Sequence, residues 1–139
     1  MQALTMLREH MLVTLKKPAE KLITFVESGT VITVPGPADA NKDFQLNYQG
    51  VIYVLGIKYD ARYICWVVGE WMNTYQQEHT ADDIQFEAEI LSHDMVDLEF
   101  RINFTEIVKV SEDENGTTLT SCFAGLEDTP ALDVTIEYH

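Results

Sequence analysis

Two stretches near the middle of the chain alternate with period two, and that alternation restricts the fold more than any other feature of the sequence. Ile84, Phe86, Ala88 and Ile90 interleave with Gln85, Glu87 and Glu89. After Ser92-His93-Asp94, Val96, Leu98, Phe100, Ile102 and Phe104 interleave with Asp97, Glu99, Arg101, Asn103 and Thr105. Successive side chains of a strand point to opposite faces, so each stretch predicts a strand with one buried and one displayed face. The displayed face carries four carboxylates, Glu87, Glu89, Asp97 and Glu99, beside the single Arg101. Val108 and Val110 continue past a slip in register near Glu106. Ser111 to Gly116 reads as an acidic turn ending in Asn115-Gly116, and Thr117 to Phe123 returns. Leu132, Val134, Ile136 and Tyr138 predict a last strand whose open edge is a candidate seam for a neighbour's strand, with Asp133 and Glu137 equally able to guard it.

The first half supplies the helices. Leu4, Leu7, Met11, Leu12 and Leu15 recur at helical spacing, Lys16 and Lys17 suit a helix C-terminus, and Pro18 stops the run and can open a short turn through Ala19 and Glu20. Leu22 to Val26 and Thr30 to Val34 predict a small hairpin turning at Ser28-Gly29. Pro35, Gly36, Pro37, Asp39, Lys42 and Asp43 fall in a segment without apolar periodicity, a surface loop long enough to contact a partner. Phe44 to Tyr59 is dense in apolar residues and reads as a long strand bent or bulged at Gly50 and Gly56. Asp60 is placed to cap a second helix whose Ile64, Val67, Val68, Trp71, Met72 and Tyr75 form one stripe, read as a core face rather than a ligand groove. The expected fold is α+β: two α-helices packed on a mixed, mostly antiparallel sheet, in the order α-β-β-β-α-β-β-β-β.

A chain of 139 residues, 46% hydrophobic, is long enough for one sizeable core without staples, so a single domain over residues 1–139 is expected. No apolar run approaches the roughly 20 residues that span a bilayer, and the first residues lack a signal-peptide core. Membrane insertion and secretion are therefore not expected. Cys65 and Cys122 stand far apart without a Cys-x-x-Cys pair, which favours buried free thiols in a reducing cytosol over a zinc site. The net charge of −14 is unevenly distributed: residues 1–62 sum to +1, and residues 63–139 to −15, offset only by Arg101 and Lys109. A field of one sign repels nucleic acid and selects partner surfaces.

Catalytic signatures are sparse. No glycine-rich phosphate cradle of either common pattern occurs, so neither nucleotide nor other cofactor is expected. His93 beside Asp94 is the one fragment resembling a nucleophilic site, and a polar turn explains it better. Asp82-Asp83 and Glu112-Asp113-Glu114 lack the alternate ligands and glycine bend of a calcium loop, so no metal is expected. Carboxylates on an open strand face also lack the burial that raises one pKa for glycoside cleavage. An enzyme is not expected.

The order and spacing of several pieces resemble the tail completion protein R family of contractile-tailed bacteriophages. These pieces are the first helix running into Leu22-Ile23-Thr24-Phe25-Val26-Glu27-Ser28-Gly29, the strand from Phe44 to Tyr53, the Trp71 helix, Phe86-x-Ala88-x-Ile90, Asp97-Leu98-x-Phe100-x-Ile102, and Phe104-Thr105-Glu106 before Asn115-Gly116. The resemblance runs from about Leu4 to about Leu119. It implies a structural virion protein with a tail-terminator-like fold, assembled in the host cytoplasm as a homo-hexameric ring at the head-proximal end of the tail. Its partners would be copies of itself, the tail tube protein and a neck or head completion protein, with DNA passing through unbound. Carboxylates lining such a lumen would repel phosphates, whereas on the outer rim they would serve solubility. A different class stays open: an acidic DNA mimic or inhibitor that binds a basic partner.

Overall fold

In the computed structural model the described residues are 1–33, 36 and 42–123, with 135–138 described by backbone alone. Helix α1 spans Gln2–Leu15 and ends at Lys16, whose left-handed conformation (φ 54°) turns the chain toward Pro18. A 3₁₀ turn, Ala19–Lys21, leads into β1, Leu22–Thr33; β2 is Phe44–Ile57. Helix α2, Ala61–Tyr75, opens where Asp60 accepts the Arg62 N–H at 3.0 Å. After a second 3₁₀ turn, Ala81–Asp83, come β3 (Ile84–Ser92), β4 (Met95–Asp113), β5 (Gly116–Cys122) and β6 (Thr135–Tyr138). The α+β class expected from the sequence is the one observed.

The strands form one antiparallel sheet in the order β1-β2-β4-β5-β6, with β3 on the remaining edge of β4. The 19-residue β4 is its spine. One edge of β4 pairs with β2 from Ile57↔Val96 to Phe44↔Val108, while the other takes β3 up to Ile84↔Ile102 and β5 from Ile107↔Cys122. Both helices pack on one face. Leu4, Leu7 and Met11 of α1 and Ile64, Val68, Trp71 and Met72 of α2 share a core with Ile52, Val54, Leu98, Phe100, Ile102 and Phe104. Trp71 is buried, its ring 6.2 Å from that of Phe104 and nearly edge-on.

Three local expectations are corrected. The hairpin at Ser28-Gly29 does not form: Leu22–Thr33 is one strand, and a bulge at Glu27 between Val26↔Gly50 and Ser28↔Gln49 absorbs the irregularity. Among the described residues two strands, not three, therefore separate the helices. Gly56, at φ +65°, does sit at a bulge, but Gly50 stays in register; a Cβ there would lie 2.9 Å from Phe104 and 3.0 Å from Leu4, so its smallness admits α1 to the sheet. Nor does β4 slip near Glu106. Leu98, Phe100, Ile102, Phe104, Glu106 and Val108 keep one phase, and all are buried. A carboxylate simply occupies an inward position.

Candidate functional site

Glu106 is inward because α1 requires an anion there. Met1, at the N-cap, offers no side-chain acceptor, and the Glu106 carboxylate accepts the Gln2 and Ala3 N–H groups at 3.3 and 3.1 Å. It also accepts the Tyr48 hydroxyl, which in turn accepts the Leu4 N–H at 3.3 Å. Burial, then the Glu106 carboxylate, pushes the Tyr48 phenol well above its ordinary range, so it remains a donor. Gln76 closes a second gap. Between β3 and β5 the β4 backbone at Thr105 has no strand partner, and the buried Gln76 amide replaces one: Thr105 N–H donates to Oε1 at 2.8 Å and Nε2 donates to the Thr105 carbonyl at 3.0 Å. Sequence reading missed both residues. The unbroken phase of β4 was a signal for Glu106; nothing local marks Gln76.

The four sequence-predicted carboxylates are brought together on the face opposite the helices. Glu87 lies opposite Glu99 and Glu89 opposite Asp97, with Gln85 opposite Arg101. Their partners differ. Asp97 accepts the Gly56 N–H at 2.7 Å, while Lys17 caps the neighbouring Leu55 and Gly56 carbonyls at 2.8 and 3.2 Å. Burial and Lys21 lower the Lys17 pKa against the pull of Asp97. Glu99 is held below the usual carboxylate range by hydrogen bonding to Tyr53, despite some desolvation, and by Arg101, whose Nε donates to it at 3.1 Å. Arg101 also bridges to Glu27 of β1. The Glu87 and Glu89 side chains are exposed and have no hydrogen bond or ion pair among the described residues. Between the carboxylates and Tyr53 and Leu55 lies an open depression of about 340 Å³.

Further along the same face, a wider trough of about 740 Å³ runs among Gln45, Asn47, Gln49, Asn103, Thr105 and His79, neutral amides for the most part. Ser28, Thr30, Glu78 and Asp83 also line the trough, but His79 is held by its Nδ1 to the Gln76 carbonyl at 2.7 Å, and among the described residues no hydrogen bond joins it to a Ser or Thr hydroxyl. Among the described residues no group of three or more His, Cys, Asp or Glu is arranged to hold a metal. Asp83 is engaged in a capping box with Thr80 and accepts from Asn103 at 3.2 Å; Glu112 pairs with Lys42 at 2.8 Å, and Asp113 accepts the Asn115 N–H at 2.8 Å. His93 and Asp94 form the two-residue turn between β3 and β4, where Ser92 donates to Asp94 at 2.7 Å.

Of the expected contact loop, Pro35, Pro37 and Asp39 lie outside the described residues, and Gly36 is exposed. Lys42 and Asp43 are held against the protein's own sheet, Asp43 accepting the Val110 N–H at 3.0 Å. Leu132 and Val134 also lie outside the described residues; Ile136 and Tyr138 are placed by backbone alone, in β6, paired with Leu119 and Thr117. An aromatic strip that sequence reading missed, Tyr59, Tyr63 and Trp66, is exposed on and beside α2, with ring centroids 6.4 and 6.0 Å apart. Its signal was the pair Tyr63 and Trp66, three residues apart and off the buried stripe.

No helix among the described residues is long and apolar enough to cross a membrane. Neither the curated proteins nor the solved structures yield a match to this chain. The family model of the P2 phage tail completion protein R (GpR) matches residues 1–127 of the 139, nearly the whole of the described fold. The chain belongs to the P2 phage tail completion protein R family and is a structural component of the phage tail.

Proposed function

We propose that this chain, as a single domain, completes the tail as a closed homo-hexameric ring that caps the head-proximal end of the tube and presents a surface to the neck or head completion protein. Assembly takes place in the host cytoplasm, and DNA later passes through the ring without specific binding. One observation carries this reading beyond the family: a continuous sheet face bears paired carboxylates, two of them without a side-chain partner among the described residues. Carboxylates facing a lumen repel DNA phosphates, where Lys or Arg would bind them with release of counterions. Unlike charge on the two halves also suits head-to-tail contacts between identical subunits. The Pro35 to Asp43 loop and the Leu132 to Tyr138 strand are further candidate contacts with tube or neighbour.

Purified tube protein polymerised with this chain tests the capping role. Shorter tubes of narrow length distribution, each with one blocked end, are expected; unrestricted growth with the chain left in solution contradicts it. The competing DNA-mimic reading rests on the same carboxylates. It predicts a monomer or dimer that holds basic proteins at low salt and releases them at high salt.

A further inference from the structure

Resting on the self-assembly reading above, we infer that the seam between subunits is a strand pair, β1 of one copy against β3 of the next, which continues each sheet into its neighbour's. Among the described residues both strands are open edges: β1 pairs only with β2, and β3 only with β4. They also lie level. Matched residues run across four strands as Leu22–Val54–Leu98–Ala88, Thr24–Ile52–Phe100–Phe86 and Val26–Gly50–Ile102–Ile84. Successive antiparallel pairings leave β1 and β3 pointing in opposite directions, so two copies in the same orientation bring these edges together as an antiparallel pair. That is a heterologous contact, the kind that closes into rings.

The composition of the edges agrees. Isolated edge strands are ordinarily blunted by charge or proline, yet Ile23, Phe25 and Val26 on β1 and Phe86, Ile90 and Leu91 on β3 are exposed, Ile90 at 76%. Charge is complementary as well. Lys16, Lys17 and Lys21 lead into β1 against Glu20 and Glu27, the latter already paired with Arg101, while residues 82–94 hold Asp82, Asp83, Glu87, Glu89 and Asp94 and no Lys or Arg. With no offset along the strands, Ala88 of one copy stands beside Leu22 of the next, which brings Lys21, the last residue of the turn before β1, near Glu89 of the neighbour. A second copy is the occupant because one chain carries both complementary edges. Among the described residues the remaining outer strand, β6, is four residues long, against twelve and nine for β1 and β3. Closure by this seam also orients the ring: the bulkier helix layer takes the larger outer circumference, and the helix-free face with Asp97 and Glu99 turns inward.

The test is a mixing experiment read by native mass spectrometry, using Phe25→Asp to block the β1 edge and Ile90→Asp to block the β3 edge. Each variant alone, with unchanged far-ultraviolet circular dichroism, should be monomeric where the unaltered chain assembles. Mixed, they should form a one-to-one dimer and nothing larger, because one intact β1 and one intact β3 remain. Variants that still form rings, or a mixture that stays monomeric or grows past the dimer while the unaltered chain assembles, overturn the seam and leave self-assembly standing. An unaltered chain that is monomeric at every concentration, with and without tube protein, overturns the self-assembly reading and the seam with it.

Discussion

At the scale of single residues, the fold depends on a few polar groups placed where the apolar pattern would not put them. Glu106 is fully buried and accepts two helix N–H groups and a phenol. Glu106→Ala strands all three donors and should cost about 3 kcal/mol, a fall in melting temperature of roughly 10 °C by calorimetry. Tyr48→Phe removes one donor and should cost less. The same pair contributes to the alkaline limit. The folded phenol ionises above its ordinary value of 10.0, so its contribution is intact below that pH. It is lost as pH rises further, because the unfolded chain then releases a proton that the folded chain retains. Urea midpoints measured against pH should fall above about 10, and the fall should be shallower in Tyr48→Phe. Gln76→Ala should cost about 2 kcal/mol and sharply reduce hydrogen-exchange protection at the Thr105 amide, which no strand covers.

At the scale of elements, hydrophobic period was a reliable guide wherever the element buries one face. Both helices, the Asp60 cap and β4 could be read this way because each is fixed by local geometry and one-sided burial. β3 alternates as expected, but the expected buried face is not found: Phe86 and Ile90 are exposed, because β3 lies at the sheet edge. The acidic turn is also tighter than expected, Glu114 and Asn115 alone, with Ser111–Asp113 in β4 and Gly116 in β5. The misread hairpin belongs to β1, of which Leu22 alone is buried; an edge strand exposed on both faces carries no one-sided pattern, and a bulge and a turn look alike there. Gly50 misled differently, since the sequence shows a glycine but not the ring and methyl groups that approach it. Gly50→Ala forces Phe104 or Leu4 aside and should cost about 1–3 kcal/mol. Trp71→Ala removes the ring between α2 and β4 and should cost about 3–5 kcal/mol by urea titration. The acidic ladder was legible as alternation; the unequal partnering of its members was not, because Gly56 and Tyr53 reach it from β2 and Glu27, the other partner of Arg101, from β1.

At the scale of the whole molecule, the sheet is asymmetric in the way that assembly requires: helices cover one face, and like charges face each other across β3 and β4 on the other. Carboxylates directly opposite one another oppose folding. Glu87→Gln with Glu89→Gln should therefore raise the melting temperature and flatten its rise with salt, and added salt should stabilise the unaltered chain. A face that strains the monomer in this way is consistent with a task outside it, the passage of DNA. Cryo-electron microscopy of the head-proximal end of assembled tails tests the account most directly. A single closed ring of this chain on the last tube layer, its helices outward and its acidic face toward the channel, is the predicted result; copies spread along the tube, placed at the opposite end, or bound singly would contradict it.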